Sequence, residues 1–162
     1  MKLSHAALIF LSGIVWLIIG SFLLPLGLRL MMAGAHGTAQ GEYYPILSFL
    51  SAYTGDAEQA ALLVTAICLF IGYLKGKKVL AKSVHRSVRR IEGFSNPTSL
   101  ANIYSGGYYL LFASMIGLGF LIKFFGLSHD IRGAVDIAVG AALINGAVLF
   151  FKEARRVNAL TA

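Results

Sequence analysis

Lys123, Asp136 and Asn145 stand inside otherwise apolar runs, where an ionisable or amide side chain is expensive unless it has a partner or a task. Asp136 falls about one turn into the last apolar run. Lys123 sits as far before the His129–Asp130 turn as Asp136 sits after it. Antiparallel helices joined at that turn would bring the two side chains to similar depth. Two chemistries follow, an ion pair near one membrane face or a polar lining for the path of an ion or small solute. Separate snorkelling of each side chain toward headgroup water is a third reading that stays open. Asn145 either bonds across a helix interface or lines the same path.

The second chemistry-bearing set is basic. Of the chain's fourteen Lys and Arg residues, half lie between Lys75 and Arg90, with no acid among them. Leu80, Val84, Val88 and Ile91 recur there at helical spacing, while Lys77, Lys82, Arg86, Arg89 and Arg90 take other faces. This pattern predicts a basic amphipathic helix suited to anionic headgroups, with Lys77, Lys78, Lys82, Arg86, Arg89 and Arg90 as the lipid- or partner-binding set.

Other chemistries lack their residues. His5, His36, His85 and His129 are dispersed without ligand spacing, and Cys68 is the only cysteine, so neither a metal site nor a cofactor is expected. The stretch from Gly72 to Lys78 has glycine and lysine but not the phosphate-loop pattern. Asp-Ile-Arg-Gly-Ala-Val-Asp at 130–136 resembles acidic motifs of membrane phosphatidyltransferases, yet the further aspartates of a two-metal site are missing. The reading is non-enzymatic.

The elements that must position these residues follow from composition. Hydrophobic residues make up 57% of the 162 and charged residues 13%, about half the charge of a soluble domain. Lipid must therefore solvate much of the surface, and the length allows a single domain, 1–162. The net charge of +7 lies mostly between apolar runs rather than on a soluble face, so no nucleic-acid partner is expected. A bilayer core needs about 20 helical residues. Segments 6–30, 57–74, 104–126 and 131–151 come near that length or exceed it, with 75–103 as a loop. The first apolar stretch is too long for a signal core, which favours an uncleaved first helix.

Orientation follows from charge. Placing the basic block in the cytoplasm puts eleven Lys and Arg residues inside and leaves only Arg29, Lys123 and Arg132 outside. The predicted fold is an all-α, four-span polytopic bundle with both termini cytoplasmic. Pro45 suits the first turn of a short outer interfacial helix, whose apolar face would be Ile46, Phe49, Leu50 and Tyr53. Similar segments at 20–28 and 119–127 suggest two parallel two-helix repeats.

Small residues mark close packing. Gly13, Gly20 and Gly27 recur every seven residues, and Ala134, Ala138, Ala142 and Gly146 every four. They serve either contacts within one bundle or a homo-oligomer interface.

Trp-Leu-Ile-Ile-Gly at 16–20, the run from Gly72 to Ser83, and Arg-Arg-Ile at 89–91 resemble a set of small four-span bacterial inner-membrane proteins. The likeness covers the first half of the chain best. It implies a bacterial inner-membrane location and carries no activity. The expected function is a structural or accessory membrane protein that contacts anionic lipid, or a partner, at its cytoplasmic face. The alternative is a small oligomeric channel or transporter.

Overall fold

Glycine spacing on two helices sets the architecture. In the computed structural model, which describes residues 2–95, 98–99, 117 and 124–161, helix α1 runs His5–Ala39 and helix α5 runs His129–Thr161. The two pack antiparallel along most of their length. A Cβ on Gly20 would stand 2.9 Å from the Gly140 carbonyl, and one on Gly27 would stand 2.7 Å from the Ile137 amide. A Cβ on Gly133 or Gly140 would likewise meet α1 backbone, at 2.9 Å from Gly27 O and 2.8 Å from Leu24 N. Seven residues are close to two helical turns, so glycines at that spacing stay on one face and let the two backbones touch.

Helix α2 is Pro45–Thr54 and helix α3 is Ala57–Lys75, which passes through a π turn at Gly76–Leu80 into α4, Ala81–Glu92. Helix α3 lies parallel to α5. Its Gly72 faces the Ala138 carbonyl, and its Gly76 faces Ala142 O and Asn145 Cβ. Ala138 and Ala142 of the four-residue stripe thus meet α3, and the seven-residue stripe of α1 meets α5. Gly13 rests on Phe150 and Phe151, and Gly146 lies under the Trp16 ring. Ala134 packs on the cluster that contains Met31, Leu47 and Ile137. The small residues at the seven- and four-residue spacings are therefore occupied by intramolecular contacts, and a second copy would have to use other faces.

Among the described residues, three helices are long and apolar enough to cross a membrane: His5–Ala39, Ala57–Glu92 and His129–Leu160. Each outruns the corresponding sequence-read span. The predicted third span, 104–126, lies largely outside the described residues, as do Lys123 and most of the 119–127 repeat. At the start of α1, Lys2–Leu3 (β1) pairs antiparallel with Thr98–Ser99 (β2), joining the chain after α4 to the N-terminal end.

Two core clusters sit one at each end. The first gathers Leu8, Ile9, Trp16, Val84, Val88, Ile91 and Phe150; the second gathers Met31, Ala35, Leu47, Ala60, Val64 and Ile137. Helix α4 closes the first cluster and α2 the second.

Candidate functional site

At the end closed by α4, called here the basic end, Val84, Ser87, Val88 and Ile91 are buried against α1 and α5. The apolar face that the sequence pattern offers to lipid is therefore occupied within the protein, and α4 packs beside α5 instead of lying free. Lys77, Lys78, Lys82, Arg86, Arg89 and Arg90 are all exposed. Two acids on this end are already engaged. Arg156 holds Glu153 at 2.6 Å and Glu92 at 3.1 Å, and His85 Nδ1 lies 3.3 Å from Glu153. This small network ties α4 to the last turns of α5. Among the described residues, Lys82, Arg86, Arg89 and Arg90 take part in no ion pair. Lys77 is set 5.9 Å from the centroid of the Tyr73 ring, a cation–π distance that leaves its charge solvated.

The opposite end is organised by one acid that the sequence reading passed over. Asp130 is fully buried. Its Oδ2 accepts from the Ile46 amide at 2.7 Å and the Leu47 amide at 3.3 Å. Its Oδ1 accepts from Ser128 Oγ at 2.5 Å and the Ile131 amide at 2.8 Å. One carboxylate thus satisfies orphan donors at the N-termini of both α2 and α5, where helix dipoles favour negative charge. Gly34 of α1 makes room for it: a Cβ there would stand 3.0 Å from Leu47 and 3.5 Å from the Asp130 amide. The backbone amide of Tyr44 is met by Ser48 Oγ at 3.0 Å, which closes the first turn of α2. The face of α2 that enters the core carries Leu47; Phe49 and Tyr53 stack on each other outside it. The apolar face read from the sequence is thus divided: Ile46 and Leu50 pack against the core beside Leu47 while Phe49 and Tyr53 stay outside, because the α2 backbone is drawn down by its N-terminus onto Asp130.

Around this cap, Tyr44 donates its phenol hydrogen to Glu42 at 2.9 Å and lies 3.4 Å from His129 Nδ1. The hydrogen bond to Glu42, with further help from burial and nearby carboxylates, pushes the phenol above its ordinary value. His36 and Gln40 pair at 2.8 Å on the last turn of α1.

The intramembrane candidates read from the sequence fall as follows. Asp136 is half-buried on α5, with Arg132 one turn earlier as the charge acting on it, and it makes no hydrogen bond among the described residues. Its proposed partner Lys123 lies outside those residues. Asn145 donates to Ala141 O of its own helix at 2.9 Å, so its amide is satisfied locally while its Cβ packs on Gly76. Asn145 therefore lies against the turn that carries Lys77 and Lys78, whereas Asp136 sits nearer the capped end of α5.

Two clefts open sideways between helices. A cavity of about 650 Å³ lies between α1 and α3 toward the capped end, with His36, Glu58 and Thr65 among apolar walls. A smaller groove of about 350 Å³ lies between α3, the π turn and α5, and Lys75 is its one charged lining residue.

The architecture is that of an all-helical bundle with membrane-length apolar helices and a basic end. The chain matches no protein-family model, no curated protein and no solved structure.

Proposed function

We propose that this is a four-span accessory protein of a bacterial inner membrane that holds anionic lipid at a cytoplasmic basic end. The observation that carries the reading is the division of charge on α4. Its acidic neighbours Glu92 and Glu153 are both engaged by Arg156, with His85 also in contact with Glu153, while Lys82, Arg86, Arg89 and Arg90 are exposed without an ion pair among the described residues. A cluster of such cations beside apolar spans attracts anionic headgroups, at about 1 kcal/mol per residue near the surface.

The four-span count rests on where the described chain leaves and resumes. Ser99 is tied to Lys2 at the basic end, and His129 and Asp130 meet Tyr44 and Ile46 at the capped end. A fourth crossing at 104–126 meets that requirement and keeps both termini on the side richer in Lys and Arg. The test is native mass spectrometry of the purified chain with dioleoyl phosphatidylglycerol. Replacing Lys82, Arg86, Arg89 and Arg90 together by Gln is expected to weaken lipid binding at the α4 cations about tenfold or more. Unchanged retention would overturn the reading, and retention lost only when an acidic protein is removed would point to a protein partner instead.

A small oligomeric channel or transporter is the second reading. The cleft of about 650 Å³ bearing Glu58 and His36 favours it, since solute sites are concave and mostly apolar with a few polar groups. Solute-specific flux into vesicles holding the purified protein would support it, and no flux for any common ion would remove it.

A further inference from the structure

Helix register sets part of the basic set beside an apolar stretch of α1, well in from its N-terminal end. Trp16 of α1 and Leu80 of the π turn both meet Gly146 of α5, at 2.6 Å and 3.5 Å from where its Cβ would stand. Leu80 is therefore level with Trp16, about 16 Å along α1 from His5. Lys75, Lys77 and Lys78 precede Leu80, so they fall at the level of the α1 stretch that follows Trp16 and holds Leu17 and Ile18, and α1 has no Lys, Arg, Asp or Glu between Lys2 and Arg29. Leu17 and Ile18 are exposed, as a lipid-facing surface would be. Cations next to such an apolar surface are satisfied by reaching for an anion or by drawing one toward them.

The groove of about 350 Å³ is at this level. Lys75 stands on its wall with Ile71 and Val79 on the same side, and Val135, Val139 and Ala142 face them from α5. Its floor is the close contact of Gly72 and Gly76 with Ala138 and Ala142. The space is too small for a helix about 10–12 Å across, which excludes a second copy's span. It suits one extended hydrocarbon chain. The acids of the basic end, Glu92 and Glu153, are engaged with Arg156 beyond Val84 and do not serve Lys75.

We infer that this groove is a specific site for one anionic phospholipid, its phosphate on Lys75 and an acyl chain between Ile71, Val79 and Val135. The inference rests on the proposed lipid-binding reading and assigns it a place and a stoichiometry. Lys75 lies outside the cations of α4, so the two ideas separate. The test measures binding of dioleoyl phosphatidylglycerol to the detergent-purified full chain, with dioleoyl phosphatidylcholine and dihexanoyl phosphatidylglycerol as comparison arms. One saturable long-chain anionic lipid is expected, with the other two at least about tenfold weaker, as lost charge or lost chain burial requires. Lys75→Gln and Val135→Trp should each weaken it about fivefold or more, Lys75→Arg should retain it, and Ile71→Trp provides a second way to fill the groove. Neutralising the four α4 cations should remove additional lipids and leave this one. If binding is lost with the α4 variant but unchanged in the Lys75, Val135 and Ile71 variants, the groove site is wrong and the wider reading stands. If neither set matters, both fall. Equal binding of the short-chain lipid also overturns the groove site.

Discussion

At the capped end a single carboxylate, Asp130, is withdrawn from solvent and accepts four hydrogen bonds, whereas at the basic end four cations of α4 stand in solvent without an ion pair among the described residues. Both ends are closed by a helix packed across the α1–α5 pair, yet their charges have opposite uses. Asp130 is consumed by the fold, since its hydrogen-bonding capacity goes to the start of α2 and the start of α5. The cations of α4 are left over once Arg156 has engaged both nearby acids. Charge that is fully partnered serves stability, and charge left unpartnered beside apolar spans is available for a ligand.

The strongest way to break this contrast is Asp130→Ala. It strands buried donors of Ile46, Leu47 and Ile131, and a loss of about 3 kcal/mol in denaturant unfolding is expected. Amide exchange should rise first at Ile46 and Leu47. A smaller loss, about 2 kcal/mol, is expected for Gly20→Val, which forces α1 and α5 apart between the ends and weakens both core clusters alike. Glu153→Gln should cost about 1 kcal/mol by loosening Arg156 and His85, because the network is partly exposed. Neutralising Lys82, Arg86, Arg89 and Arg90 should change stability by less than about 0.5 kcal/mol while removing the lipids expected at α4. The smallest effect belongs to Tyr44. Its phenol titrates above the ordinary value of about 10. The contact with Glu42 therefore stabilises fully below that pH and is lost as pH rises through the folded-state value. Tyr44→Phe should lower stability slightly at neutrality, where the contact is intact, and should flatten the alkaline decline, as read by unfolding from neutrality upward through about pH 10 and beyond, where phenols ionise.

The three long apolar helices were legible because hydropathy needs only local sequence. Spacing carried much of the packing as well. Gly13, Gly20 and Gly27 do line one face, and Ala138 and Ala142 do meet a close neighbour, though the matching glycines on the facing helices, Gly133, Gly140, Gly72 and Gly76, were not singled out. Short-range pattern says that a face is small, not which helix it touches. Asp130 shows the limit more sharply. Ser128 and Asp130 before an apolar run are the cap signal of a helix start, yet the donors of Ile46 and Leu47 lie 84 and 83 residues away and only tertiary structure delivers them. Attention fell on Asp136 because a carboxylate inside an apolar run stands out, while one at a turn does not. For α4 the amphipathic period was readable, but whether its apolar face meets lipid or protein depends on α1 and α5 reaching past it. The groove at Lys75 arises from helix register, which the sequence pattern alone does not contain.

The most direct measurement is photo-crosslinking of a diazirine-bearing phosphatidylglycerol to the full chain in vesicles, with adducts mapped by peptide mass spectrometry. Adducts are expected to concentrate on Ile71, Lys75 and Val79 and on the exposed residues of α4, and to disappear when Lys75 and the α4 cations are neutralised together. Adducts spread evenly over both ends, or unchanged in that variant, would contradict a basic end built to hold anionic lipid.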